Sequence, residues 1–412
     1  MKDSIKIRVK DLTLIFGKRK KEALRLLTKG VSKTEILKKT GCTIGVDRAT
    51  FDIKDGEVFV VMGLSGSGKS TLLRCLNRLI EPTAGEVFVN DDNITKKNNK
   101  ELLEIRRSGM SMVFQNFGLF PHRTILSNIG FGLEIKGVDK KERLIKAQEA
   151  IETVGLQGFG EQYPNQLSGG MQQRVGLARA LANNPEVLLM DEAFSALDPL
   201  IRSDMQDELL DLQKKLQKTI VFITHDLDEA IKMGDRIAIM KDGKIEQIGT
   251  AEEIITNPQS EYVEAFVEKV DRKTIITAET LMFKKYVTCL YAKDGPKGVL
   301  RKMREASVEV LPVIDENHKF KGFIWLNDVL STQEEGKTSI MDTVKEEVPK
   351  VFPDCTVEEM MPLTTATKSP IAVIHPETGR LLGIISQVSI MIEATRFDKK
   401  EIIDLKKQSK EQ

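Results

Sequence analysis

The chain has few of the residues and patterns that mark secreted, membrane-spanning or nucleic-acid-binding proteins. Its 412 residues include only 4 cysteines, which are far apart and form no C-x-x-C pair, so a disulfide framework or a zinc site is not expected. The 62 basic and 61 acidic residues almost cancel, which removes the basic excess of a dedicated nucleic-acid binder. No apolar run approaches the roughly 18 residues that span a bilayer, and the N-terminus is too charged for a secretory signal. These deficits predict a cytoplasmic protein, and the length of 412 residues predicts two to three domains.

A glycine-rich stretch at residues 63–71, Gly-Leu-Ser-Gly-Ser-Gly-Lys-Ser-Thr, is the most informative part of the chain. It follows a predicted strand and leads into a predicted helix. Gly63, Gly66 and Gly68 permit positive φ and close backbone approach, so amide groups can converge on a bound polyphosphate. In this complete G-x-x-x-x-G-K-S pattern, Lys69 is expected to reach the β- and γ-phosphates of a nucleotide and Ser70 to bind Mg²⁺.

A second stretch, at residues 187–192, supplies the acidic groups that phosphoryl transfer needs. Four apolar residues predict a buried strand, and Asp191 follows at its carboxyl end. Asp191 can hold Mg²⁺ directly or through water, and Glu192 beside it can polarise an attacking water. The sequence therefore predicts nucleotide hydrolysis as well as nucleotide binding.

The remaining motifs make the chain resemble the ATP-binding subunits of ABC transporters. They follow in family order: Phe16 where the family places an aromatic residue under adenine, Gln115 as the Q-loop, residues 167–174 (Leu-Ser-Gly-Gly-Met-Gln-Gln-Arg) as the signature, residues 195–198 as the D-loop and His225 as the switch histidine. The resemblance covers residues 5 to about 270. It implies a head-to-tail dimer in which each ATP lies between the phosphate loop of one subunit and the signature of the other.

The predicted site residues combine this resemblance with the residue chemistry. Glu192 and His225 are the predicted catalytic residues, and Mg²⁺ is assigned to Ser70, Gln115 and Asp191. The predicted ATP-binding set is Phe16, Gly63, Ser65, Gly66, Ser67, Gly68, Lys69, Ser70, Thr71, Gln115, Ser168, Gly169, Gly170 and Asp191. The implied partners are a second copy, a transmembrane permease and its substrate-binding domain, with no nucleic acid. This places the chain on the cytoplasmic face of the cell membrane as a peripheral protein.

Longer matches resemble the glycine betaine/proline betaine importers among these transporters. They lie at residues 61–71, 77–83 and 190–202, and the insertion between Phe16 and Val46 also resembles that subfamily. The resemblance implies uptake of a compatible solute, whereas an importer ATPase for a different small solute is an alternative. A soluble ABC ATPase acting on DNA or ribosomes is disfavoured by the lack of coiled-coil arms and of a second cassette. Intact Glu192 and His225 disfavour a nucleotide sensor without turnover.

Two segments of the ATPase region have two interpretations each. The lysine-rich stretch from Lys18 to Lys39 contains a capping-box pattern at residues 32–35 that predicts a short helix. It is either a solvated insertion or a basic surface that faces a partner or lipid headgroups. The apolar segment at residues 116–122 is either ordinary core or, by the resemblance, the contact with a permease helix.

The predicted fold class is α/β, a P-loop ABC-type ATPase domain with a helical subdomain, followed by an α+β repeat. The predicted domains are residues 1–272, 273–335 and 336–396, with a charged tail at 397–412. The repeat rests on Pro312 and Pro370, 58 positions apart, and on Gly322 and Gly383, 61 apart. We expect each unit to be a small βαβ-like module that buries one face against its twin.

The repeat resembles a tandem pair of CBS modules, which implies an adenosine-containing ligand or a regulatory dimer scaffold. Asp328 suits a ribose hydroxyl in the first unit, but Trp325 stands where Ser or Thr is usual. The second unit has Ser386 at that place and Ser389 where the aspartate would be. A single shared site for an adenine nucleotide, cyclic di-AMP across a dimer, and no ligand at all remain open.

Overall fold

A computed structural model describes residues 4–114, 118–195, 197–268, 270–366 and 369–395. The chain divides into two compact units between Val270 and Asp271. The predicted charged tail at 397–412 lies outside the described residues. Among the residues that are described, no helix is long and apolar enough to cross a membrane.

The first unit alternates strands and helices, as the apolar runs predict. Its strands are β1 Ile5–Phe16, β2 Thr43–Lys54, β3 Val58–Met62, β4 Ala84–Val89, β5 Asp92–Asn93, β6 Met110–Val113, β7 Val187–Asp191, β8 Thr219–Thr224, β9 Arg236–Lys241 and β10 Lys244–Gly249. Its helices are α1 Lys20–Thr28, α2 Lys33–Thr40, α3 Lys69–Leu76, α4 Asn99–Ser108, α5 Ile125–Ile129, α6 Phe131–Ile135, α7 Lys140–Thr153, α8 Gly169–Leu181, α9 Pro199–Leu216, α10 Leu227–Met233, α11 Ala251–Thr256 and α12 Glu261–Val267.

A six-stranded sheet in the order β10-β9-β3-β8-β7-β6 forms the centre of this unit. All neighbours are parallel except β10, which pairs antiparallel with β9 at one edge. β3 and β7 are buried along their whole length, as expected for parallel strands covered on both faces. Met62 pairs with Thr224 and Asp191 with Ile223, so the carboxyl ends of β3, β7 and β8 lie side by side. This edge of the sheet carries the predicted site.

A second sheet, in the order β2-β1-β4-β5, is antiparallel throughout. β1 and β2 pair directly although α1 and α2 separate them in the chain. One buried cluster joins the two sheets, with Leu14 and Val46 on the antiparallel side and Val61, Leu73 and Val221 on the parallel side. The P-loop α/β prediction is confirmed, and the antiparallel sheet is an addition to it.

The lysine-rich insertion folds as the helix pair α1 and α2. The predicted short helix is confirmed as α2, with Ser32 Oγ accepting from the Glu35 amide at 3.3 Å. Ala23, Leu27 and Ile36 form a small buried cluster with residues of β1, β2 and the turn between α2 and β2. The insertion therefore has an apolar anchor under its charged surface.

The second unit contains the predicted repeat, and each copy has the element order β-α-β-β-α. The first copy comprises β11 Cys289–Leu290, α14 Pro296–Ala306, β12 Val310–Ile314, β13 Phe320–Trp325 and α15 Leu326–Glu334, after a short helix α13 Ala278–Leu281. The second comprises β14 Lys350–Val351, α16 Val357–Ala366, β15 Ile371–Ile374, β16 Leu381–Ile385 and α17 Gln387–Thr395.

The two strands recognised in each repeat form an antiparallel hairpin, and the βαβ element expected in each unit is formed by the first of these strands with the short strand before it. Only residues 315–319 separate β12 from β13, which is too short for a crossover helix. The parallel partner is instead the preceding two-residue strand, which α14 or α16 connects to the hairpin.

Each module contributes a short segment to the buried core of the other. Ile276 and Ala278 pack in the buried cluster of the second module, and Ile340 belongs to the cluster of the first. Gly322 and Gly383 allow the exchanged segments to approach: a Cβ at Gly322 would lie 2.2 Å from the Lys345 carbonyl oxygen, and one at Gly383 2.6 Å from Met282 Sδ. Each core therefore takes residues from the other side of the predicted boundary at 335/336.

Candidate functional site

The phosphate loop lies between β3 and α3, and its glycines are required by close backbone contacts. Gly68 has φ 103° and begins α3 without a side-chain cap, which leaves the first-turn amides of that helix for an anion. A Cβ at Gly68 would lie 2.3 Å from the Gly45 carbonyl oxygen, and one at Gly63 2.2 Å from that of Met240. The phosphate loop therefore packs directly against the backbone at Gly45 and Met240. Ser65 and Gly66, at its tip, are exposed.

Lys69 is buried, and its ammonium lies at the mouth of the loop. Nζ donates to the carbonyl oxygens of Gly63 at 2.9 Å and Leu64 at 3.2 Å, and lies 3.7 Å from Glu192 Oε1. Burial lowers the pKa of Lys69, against the opposing charges of Glu192 and Asp191. A desolvated ammonium with flexible reach suits the β- and γ-phosphates that the sequence assigns to it.

Asp191 accepts from two residues of α3. Ser70 Oγ donates to Asp191 Oδ1 at 2.6 Å, and Arg74 Nη2 lies 3.2 Å from Asp191 Oδ2. Sequence reasoning assigned Ser70 and Asp191 to one metal but missed Arg74. The signal for Arg74 was its spacing, because residues i and i+4 share one helix face.

Glu192 follows β7 with its backbone in the left-handed region, at φ 47°. Its carbonyl oxygen accepts from both the amide and the hydroxyl of Ser195, at 3.2 and 2.9 Å, which holds this unusual turn. Oε2 of Glu192 lies 3.7 Å from His225 Nδ1, and the His225 ring is largely exposed. The structure therefore brings the two predicted catalytic side chains together at the edge of the sheet.

These residues fit a triphosphate and Mg²⁺. Ser67 Oγ is buried and, among the described residues, has no hydrogen-bond partner, so the loop holds a polar group that a ligand could satisfy. Ser70 and Asp191 already share one hydrogen bond, and hydroxyl and carboxylate oxygens are the ligands that Mg²⁺ prefers.

Phe16 and Thr71 lie next to this loop. Phe16 is 43 % exposed, and a Cβ built on Gly45 would lie 2.7 Å from Phe16 Cε2 and 3.1 Å from Thr71 Cγ2. The aromatic ring therefore stands close to the first turn of α3, where a base attached to the phosphates could stack on it.

The signature residues lie at the start of α8. Ser168 is the N-cap of this helix, and its Oγ accepts from the Met171 amide at 3.4 Å. Gly170 packs against α9, since a Cβ there would lie 2.7 Å from Ile201 Cγ2. Ser168 and Gly169 are exposed, so the hydroxyl and the helix N-terminus are accessible.

Gln115 lies outside the described residues, as do Asn116 and Phe117. Around them, Phe114 is 40 % exposed, and the segment that resumes at Gly118 is held by Asn128. The Asn128 side chain is fully buried and bonds the amide and carbonyl of Phe120 and the carbonyl oxygens of Arg123 and Thr124. Sequence reasoning did not identify Asn128, because no local pattern distinguishes it.

The candidate ligand-binding residues of the second unit, Asp328 and Ser386, contact other side chains of the same unit. Asp328 Oδ2 lies 2.9 Å from Lys345 Nζ, which also stands 4.7 Å above the Trp325 ring. Ser386 Oγ is 2.8 Å from Ser389 Oγ at the start of α17.

Two cations of the second unit, Lys368 and Arg380, are candidates to balance the phosphates of a ligand. Lys368 lies outside the described residues. Arg380 Nε donates to the Asn317 carbonyl oxygen at 3.2 Å, so this guanidinium joins the two modules.

The ABC transporter family model matches residues 46–195. The glycine betaine/carnitine transport ATP-binding protein GbuA of Listeria monocytogenes serotype 1/2a (strain 10403S) is 54 % identical over 386 residues, covering 94 % of this chain and 96 % of that protein. The glycine betaine transport ATP-binding protein OpuAA of Bacillus subtilis (strain 168) is 53 % identical over 381 residues, covering 92 % and 90 %.

A solved structure of similar fold is the dimeric post-hydrolysis state of the ATP-binding cassette MJ0796 bound to ADP and Pi. It superposes with a TM-score of 0.51 at 34 % identity, covering 60 % of this chain and 98 % of that one.

Proposed function

This chain belongs to the ATP-binding subunits of ABC transporters, and we propose that it powers the import of glycine betaine or a related compatible solute. The observation that carries the proposal is the joining of Lys69, Ser70, Asp191, Glu192 and His225 by direct contacts at one edge of the sheet. The substrate class is supported by the relatives named for glycine betaine transport, which match this chain over nearly its whole length.

Different residues in and around the phosphate loop bind the phosphates, the metal ion and the adenine of ATP. Lys69 exchanges its carbonyl partners Gly63 and Leu64 for phosphate oxygens, and the amides at the start of α3 bind the same anion. Ser70, Asp191 and Gln115 would hold Mg²⁺, which when bound would supply positive charge to the phosphates of ATP. Phe16 offers its exposed ring to the adenine.

Hydrolysis depends on the two side chains at the sheet edge. Glu192 aligns and polarises the attacking water, and the His225 ring positions the γ-phosphate beside that water. Their 3.7 Å separation leaves both groups able to reach a molecule placed between them and the loop.

A second copy completes the site. Ser168 and Gly169, exposed at the start of α8, offer a hydroxyl and a helix N-terminus to the γ-phosphate bound by the partner's phosphate loop. Loss of the γ-phosphate removes the charge that joins the two subunits, which weakens the closed dimer. The dimeric state of the similar cassette supports this arrangement.

The permease docks in a groove of about 280 Å³ beside the Q-loop segment. Leu79 and Phe114 expose apolar surface there, and Arg179 from α8 lies in the same groove. Arg106 lines the groove as well, and an apolar groove with two partly buried guanidinium groups fits a short amphipathic helix. This partner would hold the chain on the cytoplasmic face of the membrane.

The repeat of the second unit is proposed to be a tandem CBS pair that regulates the ATPase. Its two β-α-β-β-α modules and the positions of Asp328 and Ser386 at the starts of α15 and α17 support this assignment. An adenine nucleotide or cyclic di-AMP is the proposed ligand class.

Co-purification from membranes tests the proposed function. The tagged chain is extracted under mild conditions, its permease is identified, and ATP hydrolysis by the reconstituted complex is measured with glycine betaine and with an unrelated amino acid. We expect stimulation by betaine only. Stimulation by a different solute would assign a different importer, and the absence of any membrane partner would contradict the transporter function.

A further inference from the structure

The loop that carries His225 is tied to α9 by a chain of hydrogen bonds that no sequence motif indicated. Thr224, buried at the end of β8, donates its hydroxyl to Glu229 Oε2 and accepts from the Asp226 amide at 3.0 Å. The other carboxylate oxygen of Glu229 accepts from Gln206 Nε2 at 2.8 Å. Gln206 belongs to α9 and is only 5 % exposed.

The hydrogen bonds among Thr224, Glu229 and Gln206 have a specific pattern of donors and acceptors. An ionised carboxylate only accepts, so Glu229 can satisfy one hydroxyl donor and one amide donor at the same time. Both donors are buried, and losing the acceptor would leave them unpaired in a region of low dielectric. Because Thr224 immediately precedes His225, its anchorage also fixes the start of the histidine loop.

The same helix begins at the D-loop. Asp198 is the N-cap of α9, accepting from the Ile201 amide at 3.1 Å, and Gln206 lies about two turns further along. A displacement of the D-loop end of α9 must therefore move the Thr224–Glu229–Gln206 chain or break it.

We propose that Glu229 is a positioning residue that couples α9, and with it the D-loop, to the switch histidine. This inference rests on the proposed function, since it assigns a link inside the ATPase site. When a second subunit contacts the D-loop, the chain through Gln206 and Glu229 sets the position of His225 relative to Glu192.

An exchange of donor and acceptor tests the link. Gln206→Glu places a second carboxylate against Glu229, at a position where the present contact is 2.8 Å, and should separate α9 from the histidine loop. Adding Glu229→Gln restores a donor–acceptor pair between the two positions and leaves an amide oxygen for Thr224. Asp207→Asn is the matched control, because Asp207 joins the same two helices through an exposed ion pair with Lys232 at 2.8 Å.

Turnover is measured on the full-length chain in the complex extracted from membranes. Gln206→Glu should lower kcat by about 10²-fold while the KM for ATP changes by less than about twofold. The double variant should recover about tenfold or more of the lost kcat. Asp207→Asn should change kcat by less than about twofold.

A second readout does not depend on turnover. The chain has 4 histidines, and NMR of ¹³C-labelled histidine, assigned with His225→Gln, reports the surroundings of the His225 ring. Gln206→Glu should shift this resonance, the double variant should return it, and Asp207→Asn should leave it unchanged.

Wild-type kcat and an unmoved His225 resonance in Gln206→Glu would overturn the inference, as would a double variant that recovers neither. An inactive parent complex would instead contradict the proposed ATPase function, and the NMR comparison would still decide the link.

Discussion

At the scale of single residues, two adjacent carboxylates have different surroundings and hence different chemistry. Asp191 is buried, and its two carboxylate oxygens accept from Ser70 and Arg74, as suits a metal ligand held in one orientation. Glu192 is only partly buried and faces Lys69 and His225, where water can enter. Such separation of environments is how one site assigns different roles to like groups.

Glu192→Gln should abolish turnover and keep nucleotide binding, because the amide preserves shape but cannot act as the base. We expect phosphate release to fall by about 10²-fold or more, with a closed dimer accumulating in Mg·ATP. Phosphate release and dimer population by size-exclusion chromatography measure the two effects. Glu149→Gln, an exposed change on α7, is the control. Turnover near the parent rate would remove Glu192 from the mechanism.

The stability of the second unit should fall with alkaline pH through Cys289. Burial raises the pKa of this thiol from 9.0 to about 12. Between these values the unfolded chain loses the thiol proton and the folded chain keeps it, so the free energy of unfolding decreases by about 1.4 kcal/mol per pH unit from this group.

Trp325 makes this measurable, because the single tryptophan of the chain lies in the same unit. Urea unfolding followed by its fluorescence between pH 9 and 11 should show a steeper decline in the parent than in Cys289→Ser. The difference isolates the thiol from other groups, such as Tyr286, whose pKa is also raised by burial. Parallel pH profiles for the two proteins would contradict the assignment.

At the scale of elements, local signals in the sequence predicted local structure well. The Ser32–Glu35 pattern predicted α2, and the apolar run at residues 187–190 predicted β7 with Asp191 at its end. The βαβ elements expected in the repeat are present as β11-α14-β12 and β14-α16-β15, but the pairing of β12 with β13 as an antiparallel hairpin was not predicted. The exchanged segments could not be predicted, because their partners are set by tertiary packing.

In the candidate site, too, residues within local motifs were predicted, and residues placed by tertiary packing were not. Lys69 and Asp191 belong to motifs whose spacing reports their chemistry, and the structure brings both to one sheet edge. Gln206 and Glu229 have no such signal, since one is a polar residue on a long helix and the other lies in a charged turn of α10. Only the packing of α9 beside α10 reveals their contact.

Ser168→Arg should leave the phosphate loop able to bind ATP but prevent closure of the dimer. The substitution removes the N-cap of α8, which contributes about 1 kcal/mol, and places a bulky cation at the surface proposed to meet the partner's γ-phosphate. Ser168→Ala removes the cap without the bulk and is the matched control. Nucleotide binding and hydrolysis are measured for both. Parent-like hydrolysis by Ser168→Arg would contradict the composite site.

At the scale of the whole molecule, a complete ATPase unit precedes a second compact unit. The first residues of that second unit are tied to its last described helix, because Arg272 Nη2 lies 2.6 Å from Glu393 Oε1 and both side chains are largely buried. A truncation that kept Arg272 but removed Glu393 would break this largely buried ion pair. The boundary at Val270/Asp271 is therefore the better place to cut.

Deleting the chain from Asp271 onward should leave an ATPase that is active with the permease. The first unit has its own core and all the proposed catalytic residues, so basal turnover should stay within about twofold of the parent. The response to ionic strength or to an adenine-containing ligand should be lost. ATP hydrolysis by the reconstituted complex, measured across salt and ligand concentrations, checks both points. A truncated complex that kept the full response would make the second unit a scaffold.

A ligand of the second unit should require both modules. Asp328 lies in the first module and Ser386 in the second, and each unit departs from the expected pattern at one position, Trp325 in the first and Ser389 in the second. If two chains oppose these half-sites, one two-fold symmetric adenine dinucleotide could satisfy both. Lys345, beside Asp328 and above Trp325, is a cation already in place for a phosphate.

Calorimetry on a fragment beginning at Asp271, which keeps the Arg272–Glu393 pair, should detect cyclic di-AMP with one ligand per dimer and weaker binding of AMP and ATP. Asp328→Ala should weaken the affinity by about 10- to 100-fold, because a hydrogen bond to a charged group contributes about 1.5–3 kcal/mol. Glu335→Ala, an exposed acid just after the same helix, should bind as the parent does. Two independent sites per chain, or no binding of any of the three nucleotides, would contradict a shared site, since neither result is compatible with half-sites that are completed only across the dimer.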